Sequence, residues 1–273
     1  MELPVVYVNG LRSEQISIYD RAFQYGDGLF ETFAVTDGKP ALLDLHLQRL
    51  RTGLSRLGFP EFPIQPLVDD IKDKSKRFDS AVLKLVITRG ESHRGYLPSI
   101  TTKVNILLAF SENHNGMTIG PAVSLCFCDT RLGINPLLAG IKHLNRLEQV
   151  LANKECLDRG YEDGLVSDID GNIIEATSAN LFLWKQTRLI TPDLQRCGIN
   201  GVARQLIIQI ADKIGIPMEI QAITKSDCEN ADALFLSNSL KGITPVKSLE
   251  KTSFDENKWP KNLYSEVMKH VYT

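Results

Sequence analysis

Apolar and polar residues recur along the chain with a helical period in some stretches and a strand period in others. The clearest helical stripe consists of five leucines spaced by three or four residues: Leu43, Leu47, Leu50, Leu54 and Leu57. This spacing predicts a helix with one buried face, and Pro60 and Pro63 place its end before them. Further helices are predicted over 66–76 and 145–158, from Asn200 onward, and within 256–272.

Shorter apolar runs with turn residues at their ends predict β-strands. "VVYVNG" predicts a strand that ends in the turn Asn9-Gly10, and residues 28–43 predict a strand that enters the hairpin turn Asp37-Gly38. Residues 163–184 predict two strands around Asp170-Gly171. Other strands are predicted over 80–90, 103–110, 122–128, 218–224 and 233–239.

The polar stretch "SENHNGM", residues 111–117, predicts a linker between two units. The smaller unit comprises residues 1–112 and the larger one residues 118–273. Both mix helices with strands, so the predicted fold class is α/β, in the mixed α+β sense, with two domains.

The composition is typical of an ordinary globular protein. Of 273 residues, 43% are apolar and 23% are charged, and the net charge of −2 creates no general attraction to nucleic acid or anionic membranes. The first residues lack a signal-peptide pattern, and no apolar stretch approaches the ~18 residues of a membrane helix. These features predict a soluble, cytoplasmic protein.

The five cysteines argue against a disulfide framework, because their number is odd in a chain of this length. Cys126 and Cys128 form a C-x-C pair whose thiols would share one face of a strand, an arrangement that suits a metal ion. No second pair follows at zinc-finger spacing, so small core residues are the favoured interpretation and no metal is predicted.

Lys142 lies in the apolar segment "LAGIKHLNRL", where a buried ammonium would be costly. One interpretation is a lysine whose ammonium reaches solvent at the end of an element. The other is a lysine whose amine attacks a carbonyl. Arg49 has similar alternatives beside the leucine stripe: a solvated helix arginine, or one that reaches inward to a phosphate.

Two segments are candidates for an anion site. In "GINGVARQ", Asn200 is predicted to cap a helix, Gly201 to permit an unusual turn, and the amides of Val202 and Ala203 to face an anion. Ser239 follows an apolar strand and offers a hydroxyl and an amide. The alternatives are an ordinary capped helix and an ordinary turn.

Glu175 lies in the apolar strand "NIIEATSANLF", where it is predicted to share a face with Ile173 and Thr177. It either faces water or pairs inside with a cation, such as a protonated pyridine nitrogen. A lysine, an acid, an arginine and two anion loops together are what pyridoxal phosphate requires.

Seven segments, in family order over nearly the whole chain, resemble the fold-type IV pyridoxal-phosphate enzymes: "DRAFQYGDGLFET", "LLDLHLQRL", "RGY", "IKHLNRLEQV", "EATSANLF", "GINGVAR" and "SNSLKGITPV". That family includes branched-chain aminotransferases, D-amino-acid aminotransferases and aminodeoxychorismate lyases. The resemblance implies a small N-terminal α/β domain and a larger, barrel-like C-terminal domain that binds pyridoxal 5'-phosphate. It implies that Lys142 forms the Schiff base and that Glu175 faces the pyridine nitrogen. It assigns the phosphate to Arg49, Val202, Ala203 and Ser239.

Within that family the segment 131–152 is most similar to the lyases. The aminotransferases typically carry a tyrosine five residues after the lysine, where this chain has Leu147, and some have a threonine in place of Ala203. The implied reaction converts 4-amino-4-deoxychorismate into 4-aminobenzoate and pyruvate, in folate biosynthesis. The alternatives are an aminotransferase acting on D- or branched-chain amino acids, and a non-enzymatic cofactor-binding protein, which the lysine–acid pair disfavours.

The resemblance also implies a homodimer with residues shared across the interface. Arg94 is the candidate for a substrate carboxylate, with Tyr25 and Tyr96 as walls, although a surface arginine and core tyrosines are alternatives. The loop 91–100 is predicted to cover the neighbour's cofactor. The alternative is a monomer whose loop closes its own site.

Overall fold

The computed structural model describes residues 4–99, 102–112, 121–255 and 258–271. These residues form two compact units. One contains the described residues of the first 117 together with Ile141–Asn145, and the other contains those within Thr118–Gly140 and Arg146–Val271. The segment of Lys142 therefore belongs to the first unit, whereas the sequence placed it in the C-terminal domain. The predicted domain boundaries stay a prediction, and residues 113–117 of the expected linker lie outside the described residues.

The first unit is an antiparallel sheet with helices. Its strands are β1 (Val5–Val8), β2 (Leu11–Arg12), β3 (Gly28–Thr36), β4 (Lys39–Pro40), β5 (Ser80–Thr88) and β6 (Asn105–Glu112), and its helices are α1 (Arg21–Tyr25), α2 (Leu43–Arg56) and α3 (Ile64–Ser75). The strand order is β2-β1-β6-β5-β3-β4. Both predicted turns are present: Asn9 and Gly10 join β1 to β2, Asp37 and Gly38 join β3 to β4, and all four residues have positive φ.

The predicted leucine stripe forms the buried face of α2. Leu47, Leu50 and Leu54 are buried against β3, whose Phe33 is fully buried. The helix ends at Arg56, before the two prolines, as predicted. This packing fixes the face of α2 that carries Arg49 toward the sheet.

The second unit is a mixed sheet with helices. Its strands are β7 (Val123–Leu132), β8 (Asp163–Asp168), β9 (Ile173–Ala176), β10 (Asn180–Lys185), β11 (Arg188–Pro192), β12 (Met218–Gln221), β13 (Ala233–Asn238), β14 (Gly242–Leu249) and β15 (Thr252–Ser253), and its helices are α4 (Leu147–Asp158), α5 (Val202–Lys213), α6 (Lys225–Glu229) and α7 (Lys261–Val271). The order is β12-β11-β10-β13-β14-β7-β8-β9, and β15 pairs with β14. Three strand pairs are parallel: β11–β12, β14–β7 and β7–β8.

Apolar side chains fill the interior of each unit, between its sheet and its helices. In the second unit Phe182 of β10 stacks on Phe235 of β13 at 4.9 Å between ring centroids, and Trp259 lies 5.5 Å from Phe235. Helix α5 packs against β13 and against α7. Helix α5 is therefore held to the same sheet that carries Glu175.

The sequence predicted one strand through residues 173–184, and this prediction is wrong. Strand β9 ends at Ala176 because Thr177 turns to Asp163: its amide and hydroxyl donate to Asp163 Oδ1 at 3.0 and 2.7 Å. Thr177 therefore does not continue the face of Glu175. Strand β14 was missed because Pro245 interrupts its apolar pattern. No helix in the described ranges is long and apolar enough to cross a bilayer.

Candidate active site

Strand β3 of the first unit fixes the backbone around Lys142. The amide of Phe30 donates to the carbonyl of Lys142 at 2.9 Å, and the amide of Leu144 donates to the carbonyl of Gly28 at 3.0 Å. The lysine Nζ lies 4.3 Å from the centroid of the Phe30 ring, over its face. The half-buried amine is therefore placed by the sheet on an aromatic surface.

Arg49 points inward from α2 to a buried carboxylate. Its Nε donates to Glu31 Oε1 at 2.9 Å and its Nη2 donates to Glu31 Oε2, so the ion pair is bidentate. Arg49 is 8% exposed and Glu31 is 1% exposed. The solvated-arginine alternative is therefore wrong, while the contact of Arg49 with a phosphate stays a prediction.

His46 completes this buried group one helical turn before Arg49. Its Nδ1 lies 2.6 Å from Glu31 Oε2. Burial raises the pKa of Glu31, but the charge and hydrogen bonds of Arg49, with help from His46, outweigh it and lower that pKa to about 2. Burial also lowers the pKa of His46. The neutral imidazole therefore carries its proton on Nδ1 and donates it to the carboxylate.

The three predicted substrate residues lie near one another in the first unit. The rings of Tyr25 and Tyr96 are 5.6 Å apart, and Arg94 is exposed in the same loop as Tyr96. A cavity of about 1010 Å³ is lined by Tyr25, Arg94 and Lys103 among others. Tyr96 is 86% exposed, so it is not a core tyrosine. The contact of these residues with substrate stays a prediction.

In the second unit, Glu175 is held on β9 by a backbone amide. Glu175 is only 4% exposed, which excludes the alternative that it faces water. Glu175 Oε2 accepts from the amide of Ile199 at 2.8 Å, and Gln149 Nε2 lies 3.5 Å from Oε1. These two contacts orient the buried carboxylate within the second unit.

Two details of the predicted phosphate loop are corrected by the structure. The N-cap of α5 is Gly201 and not Asn200, whose Oδ1 instead accepts from Arg204 Nη1 at 2.9 Å. Gly201 has φ −58°, which any residue can adopt, so it is not there for an unusual turn. It is there for space, since a Cβ would lie 2.1 Å from Asn180 Oδ1.

The start of α5 has the character of an anion site. Gly201 offers no side chain to cap the helix, so the first-turn amides, including those of Val202 and Ala203, point to the positive helix end. Asn180 Oδ1 accepts from the Gly201 amide at 3.1 Å and holds this end to β10. Both Val202 and Ala203 are buried.

A buried hydroxyl lies beside this helix start. Ser237 of β13 is directly opposite Asn180 in the antiparallel register, and its Oγ has no hydrogen-bond partner among the described residues. Ser239 follows two residues later and is half-buried. The second unit thus contains the Ser237 hydroxyl, the amides at the start of α5 and the buried Glu175 carboxylate. Together these groups fit a ligand that carries both a phosphate and a pyridine nitrogen.

The C-x-C pair lies in a different part of the second unit. Cys126, Cys128 and Cys156 have their sulfurs within 4.8 Å of one another, in an apolar cluster. Burial, with the neighbouring Cys156, raises the pKa of Cys126 to about 12 and that of Cys128 further. All five cysteines are free and buried. Protonated thiols in apolar surroundings are typical of cysteines that serve as small core residues.

The predicted site residues are thus divided between the two units. The first unit contains Lys142, Arg49 and the substrate candidates, and the second contains Glu175, Val202, Ala203 and Ser239. Two functional candidates, Glu31 and His46, were not predicted from the sequence. The only signal for them was the spacing of His46 and Arg49, which puts both on one face of the helix.

The chain is similar to known proteins over most of its length. Residues 28–249 match the family described as amino-transferase class IV. The aminodeoxychorismate lyase of Vibrio harveyi is 35% identical over 254 residues, which cover 92% of this chain and 93% of that protein. The D-alanine aminotransferase of Bacillus licheniformis is 28% identical and covers 88% of this chain and 85% of that protein.

Among solved structures, the 4-amino-4-deoxychorismate lyase from Pseudomonas aeruginosa has a TM-score of 0.90 and 37% sequence identity, and covers 97% of this chain and 98% of that one. The family match includes β3, Lys142, Glu175 and the start of α5. The sequence-based recognition of the family is confirmed: the chain belongs to the amino-transferase class IV family.

Proposed function

We propose that this protein is a pyridoxal-phosphate-dependent lyase that converts 4-amino-4-deoxychorismate into 4-aminobenzoate and pyruvate. The observation that carries the proposal is likeness to a lyase from Pseudomonas aeruginosa at 37% identity over 97% of the chain. The relative from Vibrio harveyi, also named for this activity, covers nearly the same extent. The product would place the enzyme in folate biosynthesis.

Bound pyridoxal phosphate supplies an aldehyde for the substrate amine and a pyridinium ring that draws electrons from the amine-bearing carbon. Lys142 holds the cofactor between turnovers and then, as a neutral amine, takes the proton from that carbon. The ether bond to the enolpyruvyl group breaks, and its electron pair leaves with the oxygen. The enolpyruvate takes up a proton on carbon to become pyruvate, and the six-membered ring becomes aromatic. Aromaticity provides much of the driving force.

The remaining residues bind and orient the cofactor in this proposal. Glu175 keeps a proton on the pyridine nitrogen, and the Ile199 amide orients its carboxylate. The amides of Val202 and Ala203 and the hydroxyl of Ser239 take the phosphate at the start of α5. Arg49 adds a positive charge to the groups that bind the phosphate, and Glu31 fixes the orientation of the Arg49 guanidinium.

One assay separates this function from the aminotransferase alternative. The purified protein is given 4-amino-4-deoxychorismate without any 2-oxo acid, and 4-aminobenzoate is measured by fluorescence and pyruvate by a coupled enzyme. We expect the two products in equal amounts. In a parallel arm, D-alanine or a branched-chain amino acid is supplied with 2-oxoglutarate. Turnover only in that arm would identify an aminotransferase, and turnover in neither would overturn both assignments.

We further propose that the active form is a homodimer. Several large apolar side chains are exposed on α4, a pattern that marks interaction surfaces: Leu147, Val150, Leu151 and Leu157. The loop of the first unit also exposes Leu97. Light scattering at assay concentration measures the mass of the assembly, and the mass of one chain would contradict the proposal.

Sharing of residues between subunits has its own test. Lys142→Ala and Arg94→Ala chains should each be inactive or weak alone. If Arg94 serves the neighbouring subunit, mixed dimers regain some complete sites and part of the activity returns. No return after verified subunit exchange would assign Arg94 to its own subunit's site.

A further inference from the structure

The buried arginine Arg21, on α1, binds the loop that carries the substrate candidates. Arg21 is only 3% exposed. Nη1 donates to the hydroxyl of Ser92 at 3.0 Å and to the carbonyl of Gly95 at 2.9 Å, and Nη2 donates to the carbonyl of Tyr96 at 2.6 Å. One guanidinium thus holds residues 92–96 at three points.

The other side of Arg21 is anchored to the sheet. Its Nε donates to Asp27 Oδ2 at 2.8 Å, and the same oxygen accepts from Arg89 Nε at 2.7 Å. Arg89 in turn donates to the carbonyls of Leu57 and Gly58 at 2.7 and 2.9 Å. The half-buried carboxylate of Asp27 neutralises part of the double positive charge and holds Arg21 from the side opposite the loop.

The same arginine also orders the aromatic pair. Its guanidinium carbon lies 4.8 Å from the centroid of the Tyr25 ring, and the Tyr25 hydroxyl accepts from the Gly95 amide at 3.4 Å. Tyr25 in turn lies 5.6 Å from Tyr96. Gly95 has φ +121°, a conformation that L side chains rarely adopt. The backbone on the C-terminal side of Arg94 is therefore set by Arg21 and Tyr25.

We propose that Arg21 is the positioning residue of the loop 91–97, and that it determines where Arg94 and Tyr96 meet the substrate's carboxylate. The substrate part rests on the proposed function, whereas the ordering of the loop does not. A lysine cannot replace this arginine, because a single ammonium lacks the planar fork that reaches Asp27 on one side and two carbonyls on the other.

The test compares Arg21→Lys with the parent enzyme, loaded with pyridoxal phosphate. Hydrogen exchange followed by mass spectrometry should show amides of 91–97 exchanging roughly tenfold faster, because hydrogen bonds to a charged group are lost. KM for 4-amino-4-deoxychorismate should rise by a similar factor while kcat and cofactor retention change little. Arg51→Lys, at an exposed arginine of the same unit, is the control and should change neither.

Ser92→Ala is the second variant, which removes one acceptor and keeps the ion pair. It should produce the same pattern at smaller size, and it keeps the test valid if Arg21→Lys does not fold. Unchanged exchange of 91–97 in a folded Arg21→Lys protein would overturn the positioning role. Faster exchange with unchanged KM would overturn the link to substrate. A parent without lyase turnover would refute the proposed function, and the exchange result would still decide the role of Arg21.

Discussion

Replacing Glu31 by glutamine should destabilise the first unit strongly, although the change is nearly isosteric. Glu31 is the buried carboxylate that pairs with Arg49 and accepts from His46. Glutamine keeps the size but removes the charge, so the buried Arg49 guanidinium loses the anion that Glu31 supplies. Such a charge is expensive in a protein interior.

The size of the effect follows from two independent arguments. The pKa of Glu31 lies at about 2 instead of 4.5, because the Arg49 interactions exceed the opposing effect of burial. A difference of this size corresponds to stabilisation on the order of 3 kcal/mol at neutral pH. Removal of one partner of a buried ion pair generally costs about 3–5 kcal/mol. Both arguments predict a loss of roughly 3 kcal/mol or more.

Urea unfolding followed by circular dichroism, at equal cofactor saturation, measures this loss. The matched control is Glu219→Gln, which removes an acid whose pair with Arg188 is about half exposed on both sides. Exposed pairs contribute about 0–1 kcal/mol, so this variant should resemble the parent. If Glu31→Gln loses no more stability than Glu219→Gln, the buried pair does not hold α2 to the sheet and the reasoning is refuted.

The same pair predicts a dependence on pH. Because the folded-state pKa of Glu31 is depressed, its stabilising contribution is present above pH 4.5 and is lost as the pH falls toward 2. The parent should therefore lose stability over this window more steeply than Glu31→Gln. Parallel profiles for the two proteins would show that another group causes the acid sensitivity.

Three further predictions follow from the site and its surroundings. Glu175→Gln should fold and bind cofactor but lose roughly ten- to a hundredfold in turnover, since an amide cannot hold a proton on the pyridine nitrogen; near-normal kcat would exclude this role. The double change Glu31→Gln with Arg49→Met should recover part of the stability lost in Glu31→Gln, because both charges of the buried pair are removed. The double variant should nevertheless release pyridoxal phosphate faster on dialysis, and equal retention would show that Arg49 does not bind the phosphate. Gly164→Ala should cost about 1–3 kcal/mol by urea unfolding, because its Cβ would lie 2.3 Å from Cys156 Sγ; parent-like stability would mean that the thiols move aside.

Local signals predicted much of the fold. The leucine stripe of α2 and the Asn-Gly and Asp-Gly turns are recognisable from neighbouring residues alone, because their periods and turn chemistry are local properties. The break after β9 was not, since it depends on a hydrogen bond from Thr177 to Asp163, 14 residues away. The use of Gly201 for space and not for conformation depends on Asn180, which lies 21 residues away in sequence.

The candidate site shows the same division. Lys142, Glu175 and Arg49 stand out because charged residues are unusual in apolar segments. Arg21 and Glu31 do not, since their importance arises from partners far along the chain: Tyr96 is 75 residues from Arg21, and Arg49 is 18 residues from Glu31. Contacts between residues so far apart in sequence can be recognised only in the folded structure.

The central claim, that Lys142 carries the cofactor, has a direct test. The protein loaded with pyridoxal phosphate is treated with borohydride, digested and mapped by mass spectrometry, with Lys142→Ala as the control. The account predicts a phosphopyridoxyl group on the peptide containing Lys142 and no fixed cofactor in the control. An adduct on another lysine of the parent protein would contradict it.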